Sequence, residues 1–292
     1  MKCDFIQAES ANHTVKMLCR VMNVPRSTFY ANRRRKPSDH VQLNTRLLRK
    51  IRVIHAASKR RYGARRVWRE LVKTYPGIGQ RRVSRLMREH GIRAKRRRRF
   101  RATTDSRHDH PIEPNLLGRE FTVDVPNRVW TGDITYVWTR EGWLYLAVVL
   151  DLFSRRIVGW SMNSRINKEL ALNALHTAVG QRRPEAGWLH HTDRGSQYTS
   201  NAYREALRGY QAVSSMSRKG DCWDNAPTES FFGTLKKEAI FGEGFGTREE
   251  AKSTILEYLR WYNAERMHSS LGYMSPNEFE TEAAELTFCQ AA

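Results

Sequence analysis

The sequence predicts a chain with two fold classes, an all-α basic region followed by an α/β domain with a mixed sheet. Charge is the first observation behind this prediction: residues 1–101 hold 30 Lys and Arg against 5 Asp and Glu, whereas residues 102–292 hold 21 against 25. Periodicity is the second, because apolar residues recur at helical spacing in the basic part, and β-branched and aromatic runs begin only after residue 126. This segregation of charge indicates a polyanionic partner for the basic part.

Length and composition exclude several classes of protein. The 292 residues, 40% hydrophobic and 10% aromatic, suffice for about two packed domains, so a disordered chain and a disulfide-stapled miniprotein are excluded. The longest apolar run, residues 143–150, is too short to cross a bilayer, and the start carries no export signal. We therefore expect a cytoplasmic protein without a membrane partner. Four scattered cysteines predict free thiols, and neither disulfides nor a zinc site: Cys3, Cys19, Cys222 and Cys289.

The first helical pattern covers residues 14–32. Its spacing predicts two short helices around a tight turn, with Ser27 as the cap of the second helix. Any small helical hairpin shows similar spacing, but a helix-turn-helix would explain the basic charge as well. In that interpretation the residues placed to meet DNA are Arg26, Ser27, Thr28 and Tyr30.

Three more helices are expected in the second basic segment, with apolar positions at 43–54, 67–72 and 83–87. On the third of these helices, Arg81, Arg85 and Arg88 form a stripe away from the apolar face. This stripe is either a solvated face or a phosphate-binding one. Mutual repulsion of three arginines favours phosphate contact. The basic run that follows, including Arg96, Arg97 and Arg98, is assigned to DNA as well.

From residue 127 the pattern becomes that of an α/β domain. Three strands close in sequence are expected to pair antiparallel, and alternating helices and strands follow them. The glycine-rich residues 242–246 are interpreted as a flexible hinge, since no strand leads into them as in a nucleotide-binding loop. The expected strands are 129–137, 143–150, 156–162, 188–192 and 211–216, and the expected helices are 168–179, 201–207, 224–240 and 249–262, the last preceding a short tail.

These patterns together predict five segments. They are an N-terminal helix-turn-helix over 1–37, a second helical basic DNA-binding domain over 38–101, a linker over 102–126, an α/β core over 127–241 and a C-terminal helical tail over 242–292.

Three carboxylates stand out in the α/β domain. Asp133 lies in the middle of a strand, Asp193 ends a buried strand, and Glu229 lies in the first turn of a helix. Each alone has a structural explanation, as a hydrogen-bonded aspartate, a turn residue or a capping glutamate. Together they can converge on one rim of the sheet, where a cluster of like charges needs a divalent cation. Mg²⁺ or Mn²⁺ suits such oxygen ligands, and two ions would serve an in-line phosphoryl displacement.

Four motifs carry a family resemblance. Residues 130–136 (WTGDITY), 191–198 (HTDRGSQY), 224–232 (DNAPTESFF) and 268–276 (HSSLGYMSP) resemble the second-frame, OrfB-type product of bacterial insertion-sequence transposases. These proteins belong to the retroviral-integrase superfamily and have an RNase H-like core. The 35 residues between Asp193 and Glu229, and Lys236 seven residues after Glu229, match the family pattern.

The resemblance implies a DDE transposase. Asp133, Asp193 and Glu229 would be its catalytic metal triad, and Lys236 would lie near bound DNA. The implied activity is 3′-end cleavage and strand transfer with two Mg²⁺ or Mn²⁺ ions and no zinc. The implied partners are the terminal inverted repeats, read by the basic region, target DNA, further copies of the chain, and an upstream-frame product or a fusion with it. The protein would act in the bacterial cytoplasm at the nucleoid.

Two other functions remain open from the sequence. A nuclease of the same fold would use the same triad without joining DNA ends. A non-enzymatic DNA-binding regulator would use the acidic domain for dimerisation only. Product analysis separates the first alternative from transposition, and the effect of Asp193→Asn separates the second.

Overall fold

The computed structural model describes residues 2–34, 36, 38–95, 112–218 and 222–291. The chain divides into two compact units, Met1–Arg93 and Ala94–Ala292. None of the helices in the described ranges is both long enough and apolar enough to cross a membrane. The described cysteines Cys3, Cys19 and Cys289 are free thiols, as predicted.

The first unit begins with three short helices, α1 (Lys2–Glu9), α2 (Val15–Val21) and α3 (Arg26–Arg34). The predicted helical pair is confirmed as α2 and α3, and Asn23, with φ of +50°, makes the turn between them. Helix α1 was not predicted, because only Ile6 of its residues is buried and its sequence shows no apolar face. The assignment of Ser27 as a cap is wrong, since α3 already begins at Arg26.

The rest of this unit confirms the three predicted helices, α4 (Asp39–Ala57), α5 (Ala64–Thr74) and α6 (Gln80–Glu89). Ser38 caps α4 by accepting a hydrogen bond from the Val41 amide. One apolar face of each helix is buried, as the spacing of their apolar residues requires. The buried apolar residues are Leu47 and Ile51 in α4, Val67 and Leu71 in α5, and Val83, Leu86 and Met87 in α6.

The second unit is built on a five-stranded mixed sheet, as predicted. Its strands are β1 (Val129–Thr139), β2 (Gly142–Asp151), β3 (Ile157–Asn163), β4 (Leu189–Thr192) and β5 (Val213–Met216), in the order β3-β2-β1-β4-β5. The first three strands pair antiparallel, and β4 and β5 run parallel to β1. The antiparallel strands β2 and β3 therefore lie on one side of β1, and the parallel strands β4 and β5 lie on the other.

Helices cover both faces of this sheet. They are α7 (Lys168–Arg182), α8 (Ser196–Thr199), α9 (Asn201–Gly209), α10 (Ala226–Leu235), α11 (Arg248–Ala264) and α12 (Pro276–Ala291). One apolar core contains residues of α7, α8 and α9, and another contains residues of α10 and α11. Helix α7 lies so close to β3 that a Cβ at Gly159 would collide with the backbone of α7.

Two expectations about the C-terminal third are corrected. The helix expected over 224–240 consists of a 3₁₀ turn (Cys222–Asn225), helix α10 and a π-helix (Lys236–Ile240). Helix α11, which was predicted over 249–262, packs on the core and buries Ile255 and Tyr258 in the same apolar cluster as β2. A further helix, α12, follows where a short tail was expected, and the backbone of Phe245 in the expected hinge is hydrogen-bonded to Arg140.

Candidate active site

The site lies where β1 and β4 part. Strand β4 pairs with residues Val129 to Thr131 of β1, and the last pair is Thr131 opposite His191. Asp133 and Asp193 each follow this pair by two residues, so they occupy equivalent positions of two neighbouring parallel strands. Side chains alternate along a strand, and both aspartates therefore lie on the same face at the carboxyl edge.

Local hydrogen bonds hold the two aspartates. Asp193 Oδ1 accepts a hydrogen bond from the Gly195 amide at 2.9 Å, and Asp133 Oδ1 accepts one from the Ile134 amide at 2.7 Å. A Cβ at Gly195 would stand 3.0 Å from Asp193 Oδ1, so glycine lets this loop close tightly on the carboxylate. The loop is further secured by Arg194, whose Nε donates to the Ser217 carbonyl at 2.7 Å.

Two buried contacts bring the start of α10 against β1. The hydroxyls of Thr131 and Thr228 are 2.7 Å apart, and Asn225 Nδ2 donates to the Gly132 carbonyl at 3.1 Å. The β1 partners directly precede Asp133, and Thr228 directly precedes Glu229. These contacts place the helix-borne glutamate at the same edge of the sheet as the aspartates. They were missed from the sequence, where Asn225 and Thr228 were noted only as parts of a motif.

The charges of the three carboxylates interact. Burial raises the pKa of Asp133 well above its ordinary value, and the neighbouring charges of Asp193 and Glu229 raise it further. The pKa of Glu229 is raised by burial and by the charge of Asp193. The carboxylates are thus neighbours with an excess of negative charge, as a cation site requires.

The donor set fits a hydrated magnesium ion. Within the described ranges, no three His, Cys, Asp or Glu side chains form a group that could hold a metal ion on its own. Mg²⁺ keeps several waters and needs only one or two protein carboxylates, so carboxylates that are adjacent without forming a closed cage are suitable ligands. The raised pKa values of Asp133 and Glu229 are the sign that the cluster lacks positive charge.

Lys236 lies closer to the acidic cluster than expected. It begins the π-helix and is only 9% exposed, and its Nζ is 4.9 Å from the centroid of the Tyr136 ring. Burial lowers the pKa of Lys236, and the charge of Asp133 opposes this shift.

A buried ion pair secures the π-helix. Glu238 accepts hydrogen bonds from Arg266 at 2.9 Å on each of its oxygens, and the Tyr258 hydroxyl donates to it at 3.0 Å. Arg266 lies in the segment after α11, so the C-terminal part of the chain holds the turn that carries Lys236. A sequence signal was available here, because Arg266 lies two residues before the motif that starts at His268.

Asp224 has a structural role in the 3₁₀ turn before α10. It is fully buried and accepts hydrogen bonds from Arg218, Arg119 and Asn115. The hydrogen bonds from Arg218 hold the pKa of Asp224 below its ordinary value. Asp224 therefore anchors the segment that leads into α10.

Two buried histidines lie beneath the site on β4. His191 is hydrogen-bonded to Ser215 at 2.8 Å and Ser217 at 3.1 Å, and His190 Nε2 is 2.7 Å from the Tyr203 hydroxyl. Burial lowers the pKa of His190 to about 3 and that of His191 to about 4. Both imidazoles are neutral at physiological pH and serve as polar supports for the strand that ends at Asp193.

The predicted DNA contacts of the first unit lie on two helices. On α3, the four predicted residues are exposed, and on α6 the three stripe arginines are exposed. Arg85 Nε is also 4.0 Å from Glu89 Oε1 on the same helix. Arg96, Arg97 and Arg98 lie outside the described residues. The exposed residues are Arg26, Ser27, Thr28 and Tyr30 on α3, and Arg81, Arg85 and Arg88 on α6.

Comparisons with known proteins agree with this architecture. Residues 124–222 and 229–283 match two family models that are both described as Integrase core domain, and residues 42–100 match one described as HTH-like domain. The Insertion element IS600 uncharacterized 31 kDa protein of Shigella sonnei is 46% identical over 263 residues, covering 90% of this chain and 97% of that protein. Transposase InsF for insertion sequence IS3A of Escherichia coli strain K12 is 42% identical over 286 residues, covering 97% of this chain and 99% of that protein.

Two viral structures are among the solved structures that are similar to this chain. One is an intasome of simian T-cell lymphotropic virus in complex with PP2A regulatory subunit B56 gamma, with a TM-score of 0.48 and 16% identity over 78% of this chain and 73% of that chain. The other is the HTLV-2 integrase catalytic core domain in complex with magnesium, with a TM-score of 0.40 and 16% identity over 53% of this chain and 97% of that chain.

The mixed sheet, the acidic edge and the family matches define a class of protein, the transposases with an integrase catalytic core and a helical HTH-like region. Membership in this class implies polynucleotidyl transfer as the type of reaction and DNA as the partner. Within it, the chain belongs to the IS3 family of insertion-sequence transposases.

Proposed function

We propose that this chain cleaves the 3′ ends of its insertion sequence and transfers them into target DNA in a Mg²⁺-dependent reaction. Asp133, Asp193 and Glu229 are the proposed metal ligands. The observation that supports the proposal is the contact of the start of α10 with β1 beside Asp133, at the edge where the pairing of β1 and β4 ends. A regulator that used the domain only for dimerisation would have no need to keep repelling carboxylates together.

Each side chain has a defined task in this proposal. A pair of divalent ions, when bound, would activate the attacking oxygen and stabilise the leaving oxygen. The Gly195 amide fixes the orientation of Asp193, and the α10 contacts hold Glu229 at the same edge. Lys236 contributes a positive charge beside Asp133, where it can meet a phosphate of the bound strand.

The basic first unit is the proposed reader of the terminal inverted repeats. Exposed arginines on α6 would neutralise phosphates, and the exposed residues of α3 would contact base edges. Because two DNA ends must be held together for transfer, the active form is proposed to be a homo-multimer, with an upstream-frame product or fusion as a further partner. The proposed site of action is the nucleoid.

Reaction products test the catalytic proposal. Purified full-length protein is incubated with labelled duplexes that carry the element ends, a target plasmid and Mg²⁺. We expect 3′-cleaved ends and strand-joined plasmid with the wild type, and neither with Asp133→Asn, Asp193→Asn or Glu229→Gln. Glu205→Gln, which removes an exposed acid on α9, is the matched control and should retain both products.

Other outcomes favour the alternatives. Cleavage without joined products would support a nuclease, and full activity of all three acidic-site variants would leave only a DNA-binding regulator. If the metal proposal is correct, a zinc-selective chelator should have no effect on activity. EDTA should inhibit the protein, and Mg²⁺ or Mn²⁺ should reverse this inhibition.

Binding measurements test the proposed DNA contacts. Replacing Arg81, Arg85 and Arg88 with alanine should weaken binding to specific and random DNA alike, and should reduce the slope of log K against log salt by up to about 3. Replacing Ser27 and Thr28 should instead reduce the preference for the specific sequence. Equal losses on both DNAs for the second pair would contradict base reading by α3.

A further inference from the structure

An exposed aromatic cluster lies on the hairpin that extends from the acidic site. Tyr136 and Trp138 are alternate residues of β1, and Trp143 of β2 stands directly opposite Trp138. The ring centroids of Tyr136 and Trp143 are 5.0 Å apart and those of Trp138 and Trp143 are 4.8 Å apart, both in edge-to-face geometry. The three rings therefore form a continuous row, which we call the hairpin platform.

The platform becomes more exposed with distance from the site. Tyr136 is half-buried, whereas Trp143 is 42% and Trp138 is 58% exposed. A strand rises about 3.3 Å per residue, so Tyr136 stands about 10 Å and Trp138 about 17 Å along β1 from Asp133. Side chains alternate along a strand, so these two rings lie on the sheet face opposite to Asp133. The pairing of β1 with β4 ends at Thr131, and a few nucleotides of an extended strand would pass this edge of β1 between Asp133 and the rings.

Positive charge accompanies these rings. Lys236 Nζ lies over the Tyr136 ring, at the end of the row nearest Asp133. At the other end, Arg248 donates hydrogen bonds to the carbonyls of Trp143, at 3.1 Å, and Glu141, at 2.6 Å, and so fixes the hairpin. Cations beside exposed aromatic rings suit a ligand that has both an anionic backbone and flat apolar faces.

We propose that the hairpin platform stacks unpaired bases of the DNA strand whose phosphate lies at the acidic site. This inference rests on the proposed function, which supplies the strand, and adds that the DNA end is held partly unpaired. Every base has a π-face, so stacking on Trp138 and Trp143 is independent of sequence. Lys236 then contacts the phosphates of the same strand.

Charge argues against a second copy of this chain as the occupant. A twofold contact between copies brings equal surfaces face to face, so Arg248 of one copy would approach Arg248 of the other. Nucleic acid has the complementary charge. A self-contact is therefore an outcome that the experiment must exclude.

Binding of frayed and paired DNA ends tests the inference. The probes are two duplexes of equal sequence, one fully paired and one with three mismatched terminal base pairs, each carrying 2-aminopurine near the cleavage site. Wild-type protein should bind the mismatched end more tightly and quench the 2-aminopurine by stacking. Trp138→Ala and Trp143→Ala should each weaken binding to the mismatched end by about 5- to 100-fold, with less effect on the paired end.

Conservative and remote variants control this experiment. Trp138→Phe keeps an aromatic face and should retain most of the binding and quenching. Phe288→Ala removes another exposed aromatic ring, on α12, and should change neither quantity. Equal affinities of the Trp138→Ala variant and the wild type for the mismatched end would overturn the inference, as would a lower oligomeric mass of that variant with unchanged DNA binding.

The result is separable from the proposed function. If the wild type joins strands and the double variant of Trp138 and Trp143 does so equally well, the platform is wrong and the transposase activity stands. If the wild type neither cleaves nor joins DNA but still prefers and quenches the mismatched end, the platform stands and the proposed activity is wrong.

Discussion

Replacing Asp133 with asparagine removes one negative charge from the acidic cluster and keeps the shape of the side chain. The pKa of Asp133 is raised by burial and by the charges of Asp193 and Glu229, against a smaller opposing effect of Lys236. The charged form of the Asp133 side chain therefore reduces the free energy of unfolding. Without divalent metal, Asp133→Asn should make the protein more stable, although it should abolish strand transfer.

Coulomb's law bounds the size of this gain. Two carboxylates about 6 Å apart repel by about 3 kcal/mol at an effective dielectric constant of about 20. The lost attraction to Lys236 offsets part of this, which leaves a net gain of about 1–2 kcal/mol. For a domain of this size that corresponds to an increase in Tm of about 2–8 °C.

Thermal melting with EDTA and with Mg²⁺ measures this effect. Mg²⁺ should raise the Tm of the wild type, because a ligand that binds only the native state stabilises it, and should raise that of Asp133→Asn less. Asp151→Asn is the matched control. Asp151 accepts hydrogen bonds from the Asn127 and Phe153 amides on separate oxygens, so an amide there leaves one donor unpaired and should lower the Tm.

The reasoning fails if Asp133→Asn melts below the wild type in EDTA, or if Mg²⁺ stabilises both proteins equally. The first result would mean that the carboxylates do not repel one another in the native state. The second would mean that the cation binds elsewhere.

Three further predictions concern the supports of the site. Arg266→Met leaves Glu238 buried without its cation and should reduce the free energy of unfolding, measured by urea denaturation, by about 3–5 kcal/mol. The double variant Arg266→Met and Glu238→Leu should recover part of this loss. His190 and His191 have lowered pKa values in the native state, so the unfolded state binds more protons below pH 6.5. The free energy of unfolding should therefore fall from about pH 6.5 towards pH 4, by up to about 1.4 kcal/mol per pH unit for each histidine. The decrease should be less steep in His190→Gln. Gly159→Ala should reduce the Tm strongly, because its Cβ meets the backbone of α7, and an unchanged Tm would show that β3 and α7 can separate without cost.

Local patterns were sufficient for most strands and helices. The antiparallel hairpins of β1 to β3 are short-range structures, and their aromatic and β-branched runs predict them within two residues at each end. Helix α1 was missed because it buries little more than Ile6, and α12 was missed because its apolar face carries no strong periodicity. The division of the expected helix at 224–240 depends on Glu238, whose partner Arg266 is 28 residues away.

The sequence by itself determined the charge division of this chain, the alternation of strands and helices in its second unit, and the three acidic residues with their spacing. All of these are read from neighbours along the chain. Only the tertiary structure decided that Thr131 and Thr228 would bring α10 onto β1, that Lys236 would be buried against Tyr136, and that Asp224 would be an anchor. Those outcomes depend on hydrogen bonds and burial between residues far apart in sequence, whose energies no local pattern contains.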